Sequence, residues 1–330
     1  MRQAFLNTLV EGLRGDPTLM LLTADTGFHV FDDFQKDFPD NYLNVGIAEA
    51  AMIGVAAGLA LAGRKVFVYG IAPFVTQRCL EQIRLDLCYQ NLPVKIVGVG
   101  AGLTYGPAGP THHAIEDIAI MNCLPHMTIF CPGDVLETAA AVKASMELAG
   151  PCYLRLGKSG EPAVHSGSNL DFAVGQGIWL RPGRDLAIVA TGNMLAAGAE
   201  VCLLLEKHNL QAGLISMPTV KPLDRELLVQ LAGNFPLLVT LEEHNLIGGL
   251  GSTVGNLILN EGLAVRLLKF GIPDCYTDCA GSQEYWRERY GLSPPQIVTR
   301  VIGVLQGLSP SQKAVRTTNS ATKPIDLSLA

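Results

Sequence analysis

The chain has 330 residues, with 24 Lys and Arg against 30 Asp and Glu and a formal net charge of −6. Without a basic excess or a local basic stripe, nucleic acid is not an expected partner. Hydrophobic residues make up 48% and charged residues 16%, a balance that fits two globular α/β domains with surface left over for other subunits to cover.

Residues 1–13 have spaced apolar positions interrupted by a glutamate, which predicts an amphipathic helix near 2–14 rather than a signal peptide. Leu19 to Leu22 reads as a short buried strand. Next comes an uncharged run of small and apolar residues from Leu43 to Ala62 that holds a single carboxylate, Glu49. An ionised carboxylate in apolar surroundings is costly unless it reaches water or has a dedicated partner. The length of the run and its Gly54–Gly58 spacing would suit a packed membrane helix. Against that stand Glu49 itself, the weak insertion drive of Gly and Ala, and the lack of a flanking basic cluster. The favoured reading is a buried helix over 47–62 with Glu49 near its N-terminal end, where the helix dipole favours an anion.

Further strands are predicted at Lys65 to Tyr69 and Val94 to Val99, and helices at 77–88 and 135–149, so strand and helix alternate as in a parallel sheet covered on both faces. Phe74 follows a strand end and could stack on a ring or simply fill core. The glycine-rich loop Gly106-Pro-Ala-Gly-Pro-Thr-His-His113 follows the strand at 94–99, at the sheet edge where open α/β folds bind ligands. His112 and His113 are either acid/base and hydrogen-bonding groups there or caps for the next helix. Arg155 ends the apolar run Cys152-Tyr-Leu-Arg155, where it suits a phosphate or carboxylate clamp or an ordinary ion pair.

A linker follows at 161–178, rich in Gly, Ser, Pro and Asn. A second α/β block over 179–307 has strands expected near 185–190, 212–216, 236–241 and 265–270. Glu242-Glu243-His244 with Gly248-Gly-Leu-Gly251 opens a helix there but lacks the GxGxxG spacing of a nucleotide site. Residues 308–330 are polar without hydrophobic period, a tail expected to be disordered or wrapped on a partner. The fold class is therefore two α/β domains with mostly parallel sheets, the first over 1–160. The eight cysteines are scattered, giving neither a disulfide framework nor paired metal spacing. Reduced thiols and a cytoplasmic location are the expectation, with a metal or redox site at Cys275 and Cys279 the lesser alternative.

In order, Asn44-Val-Gly-Ile-Ala-Glu49, Phe74 with Arg78-Cys-Leu-Glu-Gln-Ile-Arg84, Gly109-Pro-Thr-His-His113 with Glu116-Asp-Ile-Ala119, Tyr153-Leu-Arg155, and Thr219-Val-Lys-Pro-Leu-Asp224 with Glu242-Glu-His244 resemble the C-terminal half of transketolase over roughly residues 1–305. The closest likeness is to the smaller subunit of split, two-gene transketolases. That resemblance implies a thiamine-diphosphate enzyme with a pyrimidine-binding domain followed by a transketolase C-terminal domain. It implies that Glu49 hydrogen-bonds a ring nitrogen of the cofactor's aminopyrimidine and is catalytic. It further implies that Phe74 stacks on that ring, and that His112 binds donor hydroxyls and assists proton transfer. Arg155 and Arg2 match the arginines that hold the acceptor's phosphate, and His29 stands where a small hydroxyl residue often helps bind it.

The family holds the cofactor's pyrophosphate through a divalent metal, Mg2+ or Ca2+, using a Gly-Asp-Gly motif. This sequence has Gly15-Asp-Pro17 and Gly133-Asp-Val135 but no Gly-Asp-Gly. The expectation is thus an obligate partner subunit carrying that motif, with two copies of each subunit. Ala108 replaces an aspartate that contacts a sugar hydroxyl, and Gly100 replaces a histidine, which points to altered substrate choice. A 1-deoxyxylulose-5-phosphate synthase-like chain, a 2-oxoacid dehydrogenase β-like chain and a non-catalytic scaffold subunit are the alternatives.

Overall fold

A computed structural model describes residues 1–27, 29–158, 160–167 and 170–308. The tail expected from 308 lies, from residue 309 on, outside the described residues. In chain order the strands are β1 (Leu19–Thr23), β2 (Tyr42–Asn44), β3 (Lys65–Ile71), β4 (Val94–Val99), β5 (Thr128–Phe130), β6 (Cys152–Leu156), β7 (Ile178–Arg181), β8 (Leu186–Ala190), β9 (Ala212–Ser216), β10 (Thr219–Lys221), β11 (Leu237–Asn245) and β12 (Arg266–Ile272).

They form two sheets. The first has the order β10-β5-β6-β4-β3-β1-β2 and the second β12-β11-β8-β9-β7. All neighbours run parallel except β10 against β5 and β7 against β9. The central strands are continuous apolar runs because helices cover both faces: every residue of β4, β6, β8 and β9 is buried. Lys95 in β4 is the exception in chemistry, and its ammonium is satisfied by the carbonyls of Leu148 and Gly150 at 2.7 and 2.9 Å. The first sheet takes its outermost strand, β10, from beyond the predicted linker.

The apolar run around Glu49 folds as the helix Glu49–Leu61, 13 residues long, too short for a bilayer span of roughly 20 residues. No helix among the described residues is long and apolar enough to cross a membrane. Its inner face buries Met52, Ile53, Ala56, Ala57 and Ala60 against β1, β3 and β4. Its outer face leaves Ala51, Gly54, Val55, Gly58 and Leu61 exposed. All eight cysteines are free, and no cluster of three or more His, Cys, Asp or Glu is placed to hold a metal among the described residues.

The segment after β6 is tied down by Glu161, which pairs with the Met1 ammonium at 2.9 Å, and by Asp134. Asp134 caps the helix Val135–Glu147 through the N–H groups of Leu136 and Glu137, a contribution of about 1 kcal/mol. Its other oxygen accepts from the N–H groups of Val164 and His165 at 3.0 and 2.9 Å and pairs with His165 Nδ1 at 3.0 Å. Burial works against the Asp134 carboxylate, but the His165 hydrogen bonds outweigh it and hold the group well below the usual range. Burial likewise opposes a charged His165 ring, and the Asp134 hydrogen bond raises it on balance. Glu137, whose Oε1 lies 3.4 Å from His165 Nε2, is pushed up to about 7 by burial. The depressed Asp134 stabilises above its ordinary 3.8 and loses that contribution in stronger acid. The raised His165 stabilises below its ordinary 6.5 and loses that contribution as pH rises through its folded value. Amide exchange of residues 160–167, corrected for intrinsic rates, is expected to be slowest between these limits and to quicken on the alkaline side. His165→Ala should weaken that alkaline dependence, leaving the part due to Glu137, and a flat wild-type profile from about pH 5 to 9 would contradict the assignment.

Candidate active site

Turns at the carboxyl ends of β1, β2, β3, β4 and β6 converge on one edge of the first sheet, where open α/β sheets bind ligands. Glu49 is the first residue of its helix and only 3% exposed. Its partner within the chain is Arg78, whose Nη1 donates to Glu49 Oε2 at 2.7 Å. The other carboxylate oxygen takes no hydrogen bond from the described residues. The Arg78 guanidinium lies 4.5 Å from the centre of the Phe74 ring, and that ring meets His112 edge-on at 5.1 Å. Glu49, Arg78, Phe74 and His112 thus form one row, buried at the carboxylate and half-exposed at both rings.

The row continues through Tyr105, 6.2 Å from His112. Gly100 has φ +87°, and a Cβ there would sit 2.1 Å from the Tyr105 ring. The phenol occupies the space into which any side chain at position 100 would point. Lys158, exposed just after β6, places its ammonium 5.3 Å from the centre of the same ring. Burial raises the Tyr105 phenol, and the nearby Arg2 charge acts the other way. Arg2 also opposes the burial-driven rise at Tyr69. Arg2 and Lys158 thus add positive charge near Tyr105 at this end of the row.

Other expected site residues are placed elsewhere. Arg155 does not face the ligand edge. Its side chain is 1% exposed, its Nε donates to Asp117 Oδ2 at 2.8 Å, and its Nη2 donates to the carbonyls of Ala114 and Glu243 at 2.8 and 3.0 Å. Burial disfavours the guanidinium cation, and Asp117 more than offsets it. A guanidinium so enclosed cannot grip a phosphate; Lys158, three residues further and exposed, is the cation this strand offers. His29 is 94% exposed on its side chain and pairs with Asp32 at 3.2 Å rather than with the Phe74–His112 row. His113 is buried, pairing with the Gly106 carbonyl and Thr277 at 3.2 and 3.0 Å, and burial lowers its basicity. Of the second-block triplet, Glu242 accepts from the Leu250 and Gly251 N–H groups at the start of the next helix. His244 Nε2 accepts from Ala119 N–H at 3.3 Å while Nδ1 faces the Asn245 carbonyl, the pattern of a neutral ring, and burial lowers it to about 4. These groups hold elements together and form no nucleotide site.

Residues 1–162 match the family described as transketolase, pyrimidine binding domain, and residues 175–297 match transketolase, C-terminal domain. The chain belongs to the transketolase family. It is 36% identical over 292 residues to one subunit of the apulose-4-phosphate transketolase of Phocaeicola vulgatus, an alignment covering 88% of this chain and 93% of that one. It is 35% identical over 300 residues to the 6-deoxy-6-sulfo-D-fructose transketolase subunit SqwH of a Clostridium species, covering 90% and 92%. Among solved structures, a split gene transketolase described as an inactive beta4 tetramer superposes with a TM-score of 0.86 at 39% identity, covering 92% of this chain and 98% of that one. The chain is thus similar to the smaller subunit of split transketolases. Transketolase membership implies thiamine diphosphate, and the residues present suit its pyrimidine end: a buried carboxylate with one unused oxygen, beside a half-exposed aromatic ring.

Proposed function

We propose that this chain is the smaller subunit of a heteromeric, thiamine-diphosphate-dependent transferase that moves a two-carbon ketol unit, or a related acyl unit, to an aldehyde or other electrophile. The observation that carries this reading is the row Glu49–Arg78–Phe74–His112, which places a buried carboxylate and an aromatic face side by side at the ligand edge of the sheet. When bound, thiamine diphosphate supplies a nucleophilic ring carbon on which the carbon–carbon bond is broken and remade. Glu49 would share a proton with a pyrimidine nitrogen, and Arg78 keeps the carboxylate aimed. Phe74 offers its ring for stacking. His112, half-exposed and 3.0 Å from Thr111 Oγ1 through Nδ1, would hydrogen-bond hydroxyls of the donor and carry a proton. Arg2 and Lys158 would receive an anionic group of the substrate.

The metal and the pyrophosphate are assigned to an N-terminal partner subunit carrying Gly-Asp-Gly, since this sequence contains no such motif. The exposed apolar stripe of the Glu49 helix, with Ile47 79% exposed beside it, supplies a surface for that partner next to the carboxylate it must serve. The inactive beta-only tetramer described for a solved relative is consistent with a chain that does not complete the site alone, and we assign two copies of each subunit. Ala108 and the Tyr105-filled space at Gly100 support a substrate other than the ordinary pentose and hexose phosphates.

The test is to mix the chain with the partner subunit and follow thiamine diphosphate binding and transfer together. The expected result is cofactor-dependent transfer by the mixture and neither activity nor tight cofactor binding by this chain alone. Turnover of xylulose 5-phosphate with ribose 5-phosphate at ordinary transketolase rates would refute the substrate assignment.

A further inference from the structure

The loop that carries His112 is not held by its own domain alone. At its base, Gly102 and Ala114 exchange backbone hydrogen bonds at 3.0 and 2.9 Å. Beyond that base, Phe74 and Lys158 of the first block meet the rings of His112 and Tyr105, and the hydrogen bonds that reach the loop from elsewhere come from the second block. Glu243, in β11 and 1% exposed, sends its carboxylate into the loop. Its Oε1 accepts from the Leu103 N–H at 2.7 Å and from Gln283 Nε2 at 2.8 Å. Its Oε2 pairs with Arg287 Nε and accepts from Gln283. Gln283 and Arg287 share one short helix, Gln283–Arg289. Arg287 Nη2 also donates to the Asn193 carbonyl, and Asn193 Nδ2 donates to Thr104 Oγ1 at 2.9 Å. Further along, His113 is fixed by Thr277, and a Cβ on Gly106 would come within 2.4 Å of the Gly281 carbonyl. Gly102, at φ +61°, leaves the room that Glu243 occupies, since a Cβ there would lie 2.4 Å from Oε1.

We propose that Glu243, braced by Gln283 and Arg287, is a positioning residue. It fixes the 101–113 loop so that His112 meets the ketose donor, and the second domain thereby sets donor binding without touching the substrate. A carboxylate suits this task because it accepts several donors at once, and buried charge-assisted hydrogen bonds are strong and directional. This inference rests on the function proposed above for His112.

Two measurements on Glu243→Gln and Arg287→Met, with Arg287→Lys as the conservative control, decide it. In the full chain, hydrogen exchange at residues 101–113 should quicken in Glu243→Gln and Arg287→Met while β4 stays as protected as in wild type. Arg287→Lys, which keeps a cation against Glu243, should preserve most of the protection. In the complex with the partner subunit, both disruptive variants should raise the donor KM by about tenfold. Because His112 also carries a proton, kcat should fall along with the rise in donor KM, while the acceptor KM and thiamine diphosphate affinity should change by less than about twofold. Simple loss of folded protein would instead lower kcat for every substrate with KM unchanged. Unchanged exchange in the loop overturns the proposal, as does faster exchange with an unaltered donor KM. A wild-type complex without thiamine-diphosphate-dependent transfer would overturn the underlying function, while the exchange measurement still decides whether Glu243 holds the loop.

Discussion

Glu49→Ala is expected to lower transfer by the reconstituted complex by about 10²- to 10⁴-fold, the range for removal of a positioned proton-transfer group. The same change should leave the fold nearly intact. The partner it strands, Arg78, is 48% exposed on its side chain, so water can solvate the released guanidinium, and the stability lost should stay near or below about 1 kcal/mol. Activity and thermal unfolding, measured on the same preparation, therefore separate. Glu49→Gln keeps the shape of the side chain and removes the charge, and it should be nearly as inactive. Should the complex keep its activity with either replacement, the chain would be a scaffold and the proposed role of Glu49 would fall.

The opposite pattern is expected at Arg155. Arg155→Met leaves Asp117, which is fully buried, with only the Tyr153 hydroxyl at 2.6 Å on its Oδ2. It also strips donors from the carbonyls of Ala114 and Glu243. Breaking a buried pair from one side typically costs about 3–5 kcal/mol. Denaturant unfolding should show that loss as a lower midpoint, and Arg155→Met with Asp117→Asn should recover part of it by removing the orphaned charge. An arginine that clamped the acceptor's phosphate would behave differently, raising the acceptor KM at constant stability. That result would overturn the structural assignment.

The parallel cores were legible in the sequence because strands buried on both faces must be continuous apolar runs, as in β4 and β8. The short strands β2, β5, β7 and β10 leave no such trace: three or four residues carry too little periodicity, and two of these strands pair antiparallel at the sheet edges. Glu49 stands out because a lone carboxylate in an apolar run demands a partner. The partner's identity does not follow, since Arg78 lies 29 residues along the chain and only the packing of Phe74 brings it back. Arg155 misleads for a related reason. An arginine within an apolar strand has the same local signature whether it grips a ligand or a buried acid, and the acid, Asp117, is 38 residues away. Tyr105 and Lys158 give no local signal. Their place at the ligand edge follows from the backbone at Gly100 and from the register of β4 against β6.

Strand β10 changes what the two halves of the chain mean for each other. Residues 219–221 leave the second block, run antiparallel to β5, and complete the sheet that presents Glu49 and His112. A cut at the linker would sever this sheet and bare the edge of β5, an open template for misassociation. During synthesis, the first sheet cannot close until the chain has emerged through Lys221, well into the second block. The loop that carries His112 waits longer still, for Glu243, Gln283 and Arg287, so the ligand edge is among the last parts of the molecule to become fully supported, and folding of the second block serves as a check on it.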